Sequence, residues 1–250
     1  MPRPDPLDRF SRAERWVHHL TALLMLVCLV TAALLYVPAL AAEVGRRDLI
    51  KPLHVWAGYA LPVPVLLGLL SRAFRADLRR LDRFGPHDWE WLRSADRRAV
   101  ARVEGGDAGG GGAGGYRAAG PVVRGVIPIG KFNPGQKLNA AFTAGAVLVM
   151  LGTGTILTFP GPWPDRLRTG ATFVHDWLFL IIVVVTLGHL WYALRDRGAL
   201  GAMVTGRVGR DWAARHHPGW LDEAVRADPA VQDRAVQEPA VQDRAGPEGA

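Results

Sequence analysis

Apolar residues are concentrated in four stretches of the chain, at positions 16–37, 53–70, 138–158 and 172–194. Each stretch is close to the ~20 residues that an α-helix needs to cross the hydrocarbon core of a membrane. Charged or Pro/Gly-rich segments separate the stretches from one another. The pattern therefore predicts an all-α integral membrane protein, a bundle of four transmembrane helices, and it rules out a soluble enzyme.

The segments outside these spans have a different composition. Residues 72–102 are polar with scattered Trp and Leu, which predicts short helices on the membrane surface. Residues 105–120 include nine glycines, which is typical of a flexible linker. A polar unit of ten residues begins at Pro229 and recurs at Pro239, and such a repeat cannot bury a core. We therefore divide the chain into a cytoplasmic N-terminus (1–15), helices 1 and 2 (16–71), a cytoplasmic loop (72–137), helices 3 and 4 (138–194), a juxtamembrane segment (195–220) and a disordered repeat tail (221–250).

Basic residues are distributed unevenly around the spans. Of the 30 Lys and Arg residues, 25 lie before the first span, between the second and third, or after the fourth. The positive-inside rule then predicts a multi-pass protein of the cell (inner or plasma) membrane, with both termini in the cytoplasm. This topology accounts for the net charge of +7, and we expect membrane lipid rather than nucleic acid as a partner of the basic surface.

Cysteine content restricts the metal chemistry that this chain can carry out alone. The single cysteine, Cys28, excludes a disulfide within the chain, a Cys-x-x-Cys-His attachment of heme and a Cys-ligated iron–sulfur cluster. A metal centre would need other ligands, and eight histidines are present.

Histidines occur at positions in the spans where ionisable side chains are costly and mark functional sites by default. His18, or its neighbour His19, lies near the inner start of the first span, and His54 near the outer start of the second. His175 and His189 are 14 residues apart in the fourth span. At this spacing two residues share a helix face and lie about 21 Å apart along the axis.

Depth in the membrane pairs these histidines, His18 with His189 on the inner side and His54 with His175 on the outer side. Two bis-histidine sites stacked across a membrane are the arrangement of two b-type hemes bound noncovalently in a helical bundle. A single histidine near a span end is also typical of an interfacial or inter-helix hydrogen bond. Magnesium or zinc fits less well, because acidic residues near these positions are scarce, with Asp176 as the exception.

Sequence motifs accompany the histidines. Arg15-x-x-His18 opens the first span, Gly-Lys-Phe-Asn-Pro-Gly-Gln-Lys occupies positions 130–137, and a Trp- and Arg-rich segment occupies positions 206–220. Together with the histidine spacing, these motifs resemble the membrane cytochrome b (gamma) subunit of respiratory formate dehydrogenases. The resemblance runs from about residue 15 to residue 220 and is interrupted by the glycine-rich stretch.

The resemblance implies a set of ligands and partners. It makes His18 rather than His19 the inner ligand, so that two heme b groups are held by His18, His54, His175 and His189. It also implies an iron–sulfur subunit and a molybdenum-type catalytic subunit as partners, with no formate chemistry in this chain. Electrons would pass from the outer heme to the inner heme and reduce a quinone, menaquinone or ubiquinone, near the cytoplasmic side.

Two polar residues before the third span are candidates for contact with the quinone. The resemblance implies that Asn133 and Gln136 lie close to it, where side-chain amides can donate to a quinone carbonyl. The same residues also fit a helix start, with Asn133 as N-cap, Pro134 at the first helical position and Gln136 at the third. The two roles are compatible.

Two alternatives to this function remain open. The histidine pattern also fits the cytochrome b subunit of a hydrogenase or of a thiosulfate or other molybdenum-type reductase. A heme-free membrane scaffold is an alternative of a different class.

For His216 and His217, after the fourth span, we expect a surface position in contact with lipid headgroups or a partner.

Overall fold

The computed structural model describes residues 6–94 and 127–227. Our expectations for the glycine-rich stretch at 105–120 and for residues 228–250 of the tail fall outside this part of the chain. The protein divides into two compact units. Of the described residues, the smaller unit contains 6–7, 84–94, 127–134 and 209–227, and the larger contains Asp8–Arg83 and Gly135–Val208.

The regular secondary structure of the described residues is helical apart from two strands of two residues each. In chain order its elements are β1 (Leu7–Asp8), α1 (Arg12–Tyr36), α2 (Pro38–Val44), α3 (Arg47–Ala60), α4 (Pro62–Gly68), α5 (Arg72–Leu81), α6 (Pro86–Arg93), α7 (Pro134–Thr158), α8 (Asp165–Arg195), α9 (Arg197–Thr205), β2 (Arg207–Val208), α10 (Arg210–His216) and α11 (Pro218–Arg226).

Three of these helices, α1, α7 and α8, are long and apolar enough to cross a membrane. Their outward side chains are apolar, and Leu148 and Val184, for example, are each 69% exposed. An apolar surface of this kind suits contact with lipid tails. The described chain is therefore an all-α, multi-pass membrane protein with three spans by this criterion.

The second expected span is broken. Helix α3 ends at Ala60, and α4 begins at Pro62, which has no amide hydrogen to continue the hydrogen bonds of α3. The segment from α3 to α4 qualifies as a span only together with α5, from which it is bent by 108°. A fourth membrane crossing is therefore present only if the bent pair counts as one span. The sequence correctly predicts the short polar helices α5 and α6 that follow α4.

A capping box starts the first span. The Ser11 hydroxyl accepts a hydrogen bond from the Glu14 amide at 3.3 Å, and the Glu14 carboxylate accepts one from the Ser11 amide at 2.5 Å. These bonds satisfy amide groups that the helix itself leaves without partners. The helix therefore begins at Arg12, four residues before the apolar stretch, and carries His18 in its second turn.

A glycine at the end of α9 holds the start of α1 in place. Gly206 has a φ of 85°, and its carbonyl accepts hydrogen bonds from the amides of Arg9 at 2.8 Å and Phe10 at 3.0 Å. A Cβ at this position would lie 2.6 Å from the Phe10 carbonyl oxygen.

Burial lowers the pKa of the Arg9 guanidinium to about 10, and the negative charge of Asp196 partly offsets this effect.

The interior of the larger unit lies where α1 packs along α3 and α4. Its buried cluster is formed by Cys28, Ala57 and Leu61, with side chains from α1 and α7 packed around it. Close packing continues to Gly68, where an added Cβ would lie 2.7 Å from the Val17 side chain. These contacts fix the position of α3 relative to α1.

The smaller unit has its own contacts between the segment before α7 and helices α10 and α11. The amide of Trp220 donates to the Ile129 carbonyl at 3.2 Å, and Nδ1 of His217 donates to the Gly130 carbonyl at 2.7 Å. His217 is only 2% exposed, so our expectation of a surface position is wrong for this residue. Helix α11 also continues to Arg226, six residues into the region from 221 that we assigned to the tail.

Candidate metal centres

Two pairs of histidines face each other within the larger unit. His18 of α1 lies beside His189 of α8, and His54 of α3 lies beside His175 of α8. The ring centroids are 6.3 Å apart in both pairs, with interplanar angles of 57° and 71° respectively. Because α8 is one continuous helix, the 14 residues between its two histidines separate the pairs by about 21 Å along its axis. These are the pairs that depth in the membrane predicts.

Hydroxyl groups hold both rings of the second pair. Thr31 Oγ1 lies 2.9 Å from Nδ1 of His54, and Thr153 Oγ1 lies 2.9 Å from Nδ1 of His175. Each hydroxyl also contacts the carbonyl four residues earlier in its own helix, at 2.6 Å for Thr31 and 2.8 Å for Thr153. The histidines are half-buried.

The ring of His19 lies 5.6 Å from that of His18, but it makes its hydrogen bond outside the first pair. Its Nε2 lies 3.0 Å from the Met203 carbonyl and donates a hydrogen bond to it, because a carbonyl can only accept. His18, one residue earlier, is the residue whose ring faces His189. Of the two neighbours, His18 is therefore the one that faces His189, and its role as a metal ligand stays a prediction.

A cavity of about 370 Å³ surrounds the His54/His175 pair. Most of its lining is apolar, but Arg47, Lys51 and Asp176 also line it. Arg47 and Lys51 precede His54 by seven and three residues, so all three lie on one face of α3. The cavity thus combines apolar walls, a histidine pair, two positive charges and one negative charge. The apolar walls and the excess of positive charge suit a flat apolar ligand with carboxylate groups.

Each histidine pair would supply two imidazole nitrogens to one metal ion. With metal–nitrogen bonds of about 2 Å and ring nitrogens about 1 Å from each centroid, a metal between two imidazoles places the centroids about 6 Å apart. Within residues 6–94 and 127–227, no group of three or more His, Cys, Asp or Glu side chains could hold a metal ion. A bare zinc ion usually takes four protein ligands, whereas a porphyrin supplies four nitrogens itself and needs only two from the protein.

Asn133 and Gln136 lie where the helix-start interpretation places them. Helix α7 begins at Pro134, which puts Asn133 immediately before the helix and Gln136 in its first turn. Both side chains are partly exposed. Their role at a quinone stays a prediction.

Four side chains around the second pair are not among the residues predicted from the sequence: Thr31, Thr153, Arg47 and Lys51. The two threonines could have been noticed as polar residues inside apolar spans at the expected depth of His54 and His175. The two basic residues could have been noticed by helical spacing from His54. Neither the polar positions of the threonines nor the spacing of the basic residues shows which side chains they contact. Those contacts depend on how the helices pack.

The chain has clear relatives among curated proteins, although no family model matches it. It is 30% identical over 106 residues to the nitrate-inducible formate dehydrogenase cytochrome b556(Fdn) subunit of Escherichia coli strain K12. That match covers 41% of this chain and 49% of the relative, so the chain spans about half of that protein's length.

Two further relatives carry similar names. The formate dehydrogenase cytochrome b556(fdo) subunit of Escherichia coli strain K12 is 26% identical over 231 residues, covering 89% of this chain and 95% of the relative. The formate dehydrogenase cytochrome b556 subunit of Haemophilus influenzae is 29% identical over 99 residues, covering 38% of this chain and 42% of the relative. The chain is therefore a homologue of formate dehydrogenase cytochrome b556 subunits, which confirms the resemblance recognised in its sequence.

Proposed function

We propose that this chain is a diheme cytochrome b, the membrane anchor and quinone-reducing subunit of a formate dehydrogenase-type complex. The observation that carries the proposal is the presence of two histidine pairs, each with a centroid separation of 6.3 Å, on helices of a multi-pass membrane protein. The names of its relatives, cytochrome b556 subunits of formate dehydrogenases, agree with b-type heme as the group that these pairs hold.

In this proposal the chain holds each heme through one imidazole nitrogen from each of two helices. When bound, the hemes carry single electrons between the two faces of the membrane. Arg47 and Lys51 are placed to pair with the carboxylates of the heme between His54 and His175. The apolar cavity walls keep water away from that heme and anchor its ring.

The membrane orientation follows from charge and from the order of the helices. The segment formed by α3 and α4 crosses as the second of four spans, so that both termini and the loop before α7 lie in the cytoplasm of the cell. His54 and His175 are then on the outer side, and His18 and His189 on the inner side. An iron–sulfur subunit, joined to a molybdenum-type catalytic subunit, would deliver electrons to the outer pair.

Quinone reduction belongs at the inner end in this arrangement. Gln136 lies in the first turn of α7, and the consecutive spans α7 and α8 run in opposite directions, so α7 starts on the side where His189 lies. Its side-chain amide can donate a hydrogen bond to a quinone carbonyl that gains negative charge. We propose the same role for Asn133 because the sequence resemblance implies that it lies close to the quinone.

Difference spectra of membranes that contain the complete complex test the proposal. Formate should reduce both hemes and produce the absorption bands of reduced cytochrome b, whereas hydrogen should not. Reduction by hydrogen alone would instead assign the chain to a hydrogenase. Purified protein without a Soret band would refute the cytochrome function and leave the membrane scaffold as the better explanation.

A further inference from the structure

We propose that Thr31 and Thr153 are positioning residues for the heme between His54 and His175. Their hydroxyls fix the proton position on both imidazoles and lower the reduction potential of this heme below that of the other. This inference rests on the proposed cytochrome function.

The hydrogen-bond directions follow from the distances. A threonine hydroxyl has one hydrogen, and carbonyl oxygens have none to offer. The separations of 2.6 Å from Thr31 Oγ1 to the Val27 carbonyl and 2.8 Å from Thr153 Oγ1 to the Val149 carbonyl therefore require that each hydroxyl donates along its own helix. The hydroxyl oxygen then accepts from the histidine, so Nδ1 of each ring carries the proton.

This proton arrangement prepares the opposite nitrogen for iron. With Nδ1 protonated, Nε2 of both His54 and His175 has a free lone pair, which is the form that binds a metal. An acceptor at Nδ1–H also increases the basicity of the ligating nitrogen and fixes the plane of the ring. A more basic ligand favours the ferric over the ferrous state, which lowers the reduction potential.

The other histidine pair lacks this arrangement. Within the described residues, no threonine or serine hydroxyl is hydrogen-bonded to His18 or His189, and the nearby His19 bonds to the Met203 carbonyl. The two sites therefore differ in the environment of Nδ1. A lower potential at the outer heme would favour electron transfer from it to the inner heme, in the direction of the proposed quinone site.

Replacing each threonine by valine tests the inference, because valine keeps the shape and removes the hydroxyl. In the intact complex, we expect Thr31→Val and Thr153→Val each to raise the ratio of reduced to oxidised outer heme about tenfold at fixed potential. For a one-electron couple this is a shift of about 59 mV to more positive potential. The inner heme should keep its potential, and Thr31→Ser and Thr153→Ser should restore the wild-type value.

Thr172→Val is the matched control. Thr172 lies three residues before His175 and donates to the Arg168 carbonyl at 3.0 Å in the same helical manner, but the structure gives it no histidine contact. It should leave both potentials at wild-type values. Potentiometric titration followed in the heme absorption bands, with heme content measured in parallel, provides the readout.

The outcomes separate this inference from the proposed function. Unchanged potentials in valine variants that retain both hemes would overturn the role of the threonines only. A wild-type protein without heme would overturn the cytochrome function itself. If a valine variant loses the outer heme, the serine variant at the same position is measured instead. Wild-type heme content and potential in the serine variant would support the role of the threonine hydroxyl, and failure to restore them would overturn it.

Discussion

Replacing His54 by alanine should remove one heme and leave the other. The substitution takes away one of the two imidazoles that face each other at 6.3 Å, and the methyl group of alanine cannot reach a metal beside His175. Loss of a hydrogen-bond partner behind a metal ligand typically costs 10–100-fold in affinity, so we expect loss of the ligand itself to cost more than about 100-fold. Heme content should fall from about two to about one per chain.

The other histidines form a matched set for this experiment. His175→Ala should give the same spectrum as His54→Ala, whereas His18→Ala and His189→Ala should form a second matching pair. His19→Ala is the control, because Nε2 of His19 donates to a backbone carbonyl at 3.0 Å. It should retain both hemes. Heme extraction and reduced-minus-oxidised spectra of purified variants supply the measurement.

Two results would contradict the pairing. A His54→Ala spectrum that matched His189→Ala rather than His175→Ala would show that the depth assignment is wrong. Loss of the inner heme in His19→Ala, with retention in His18→Ala, would show that the Arg15-x-x-His18 register does not hold in this chain.

Three further predictions test the topology, the quinone site and the helix packing. Reporter fusions after Glu43 and Gly110 should report the outer compartment and the cytoplasm respectively; the same compartment for both would show that α3 and α4 do not cross the membrane. Gln136→Leu should leave both hemes reducible by the donor but slow their reoxidation by quinone in a pulse experiment, whereas a capping defect alone would cost about 1 kcal/mol of stability with normal reoxidation. Gly68→Ala should lower the free energy of unfolding by about 1–3 kcal/mol, because its Cβ would lie 2.7 Å from the Val17 side chain. Gly145→Ala, inside α7 and with open space around the added Cβ, should not lower the thermal unfolding temperature of the solubilised protein. Equal destabilisation by both substitutions would contradict the role of packing at Gly68.

Sequence alone was sufficient for the parts of the protein that depend on local helical geometry. The apolar stretches predict α1, α7 and α8 because about 20 apolar residues in a row suit a helix across a membrane. The 14-residue spacing places His175 and His189 on one face because the rise and rotation per residue of an α-helix are constant. The start of α7 at Pro134 was predicted for the same kind of reason, since proline suits the first helical position.

Tertiary structure decided the features that depend on how distant segments pack. The bonds from Thr31 to His54 and from Thr153 to His175 join residues 23 and 22 positions apart on different helices, and no periodicity in the chain specifies such contacts. His217 is buried against a segment that includes Gly130, 87 positions away in the chain. The polar residues around His217 predict a surface position, because they carry no information about this distant contact. The end of α3 before Pro62 follows from the sequence, because proline has no amide hydrogen to continue the helix. The 108° bend between the α3–α4 segment and α5 is a feature of the tertiary structure.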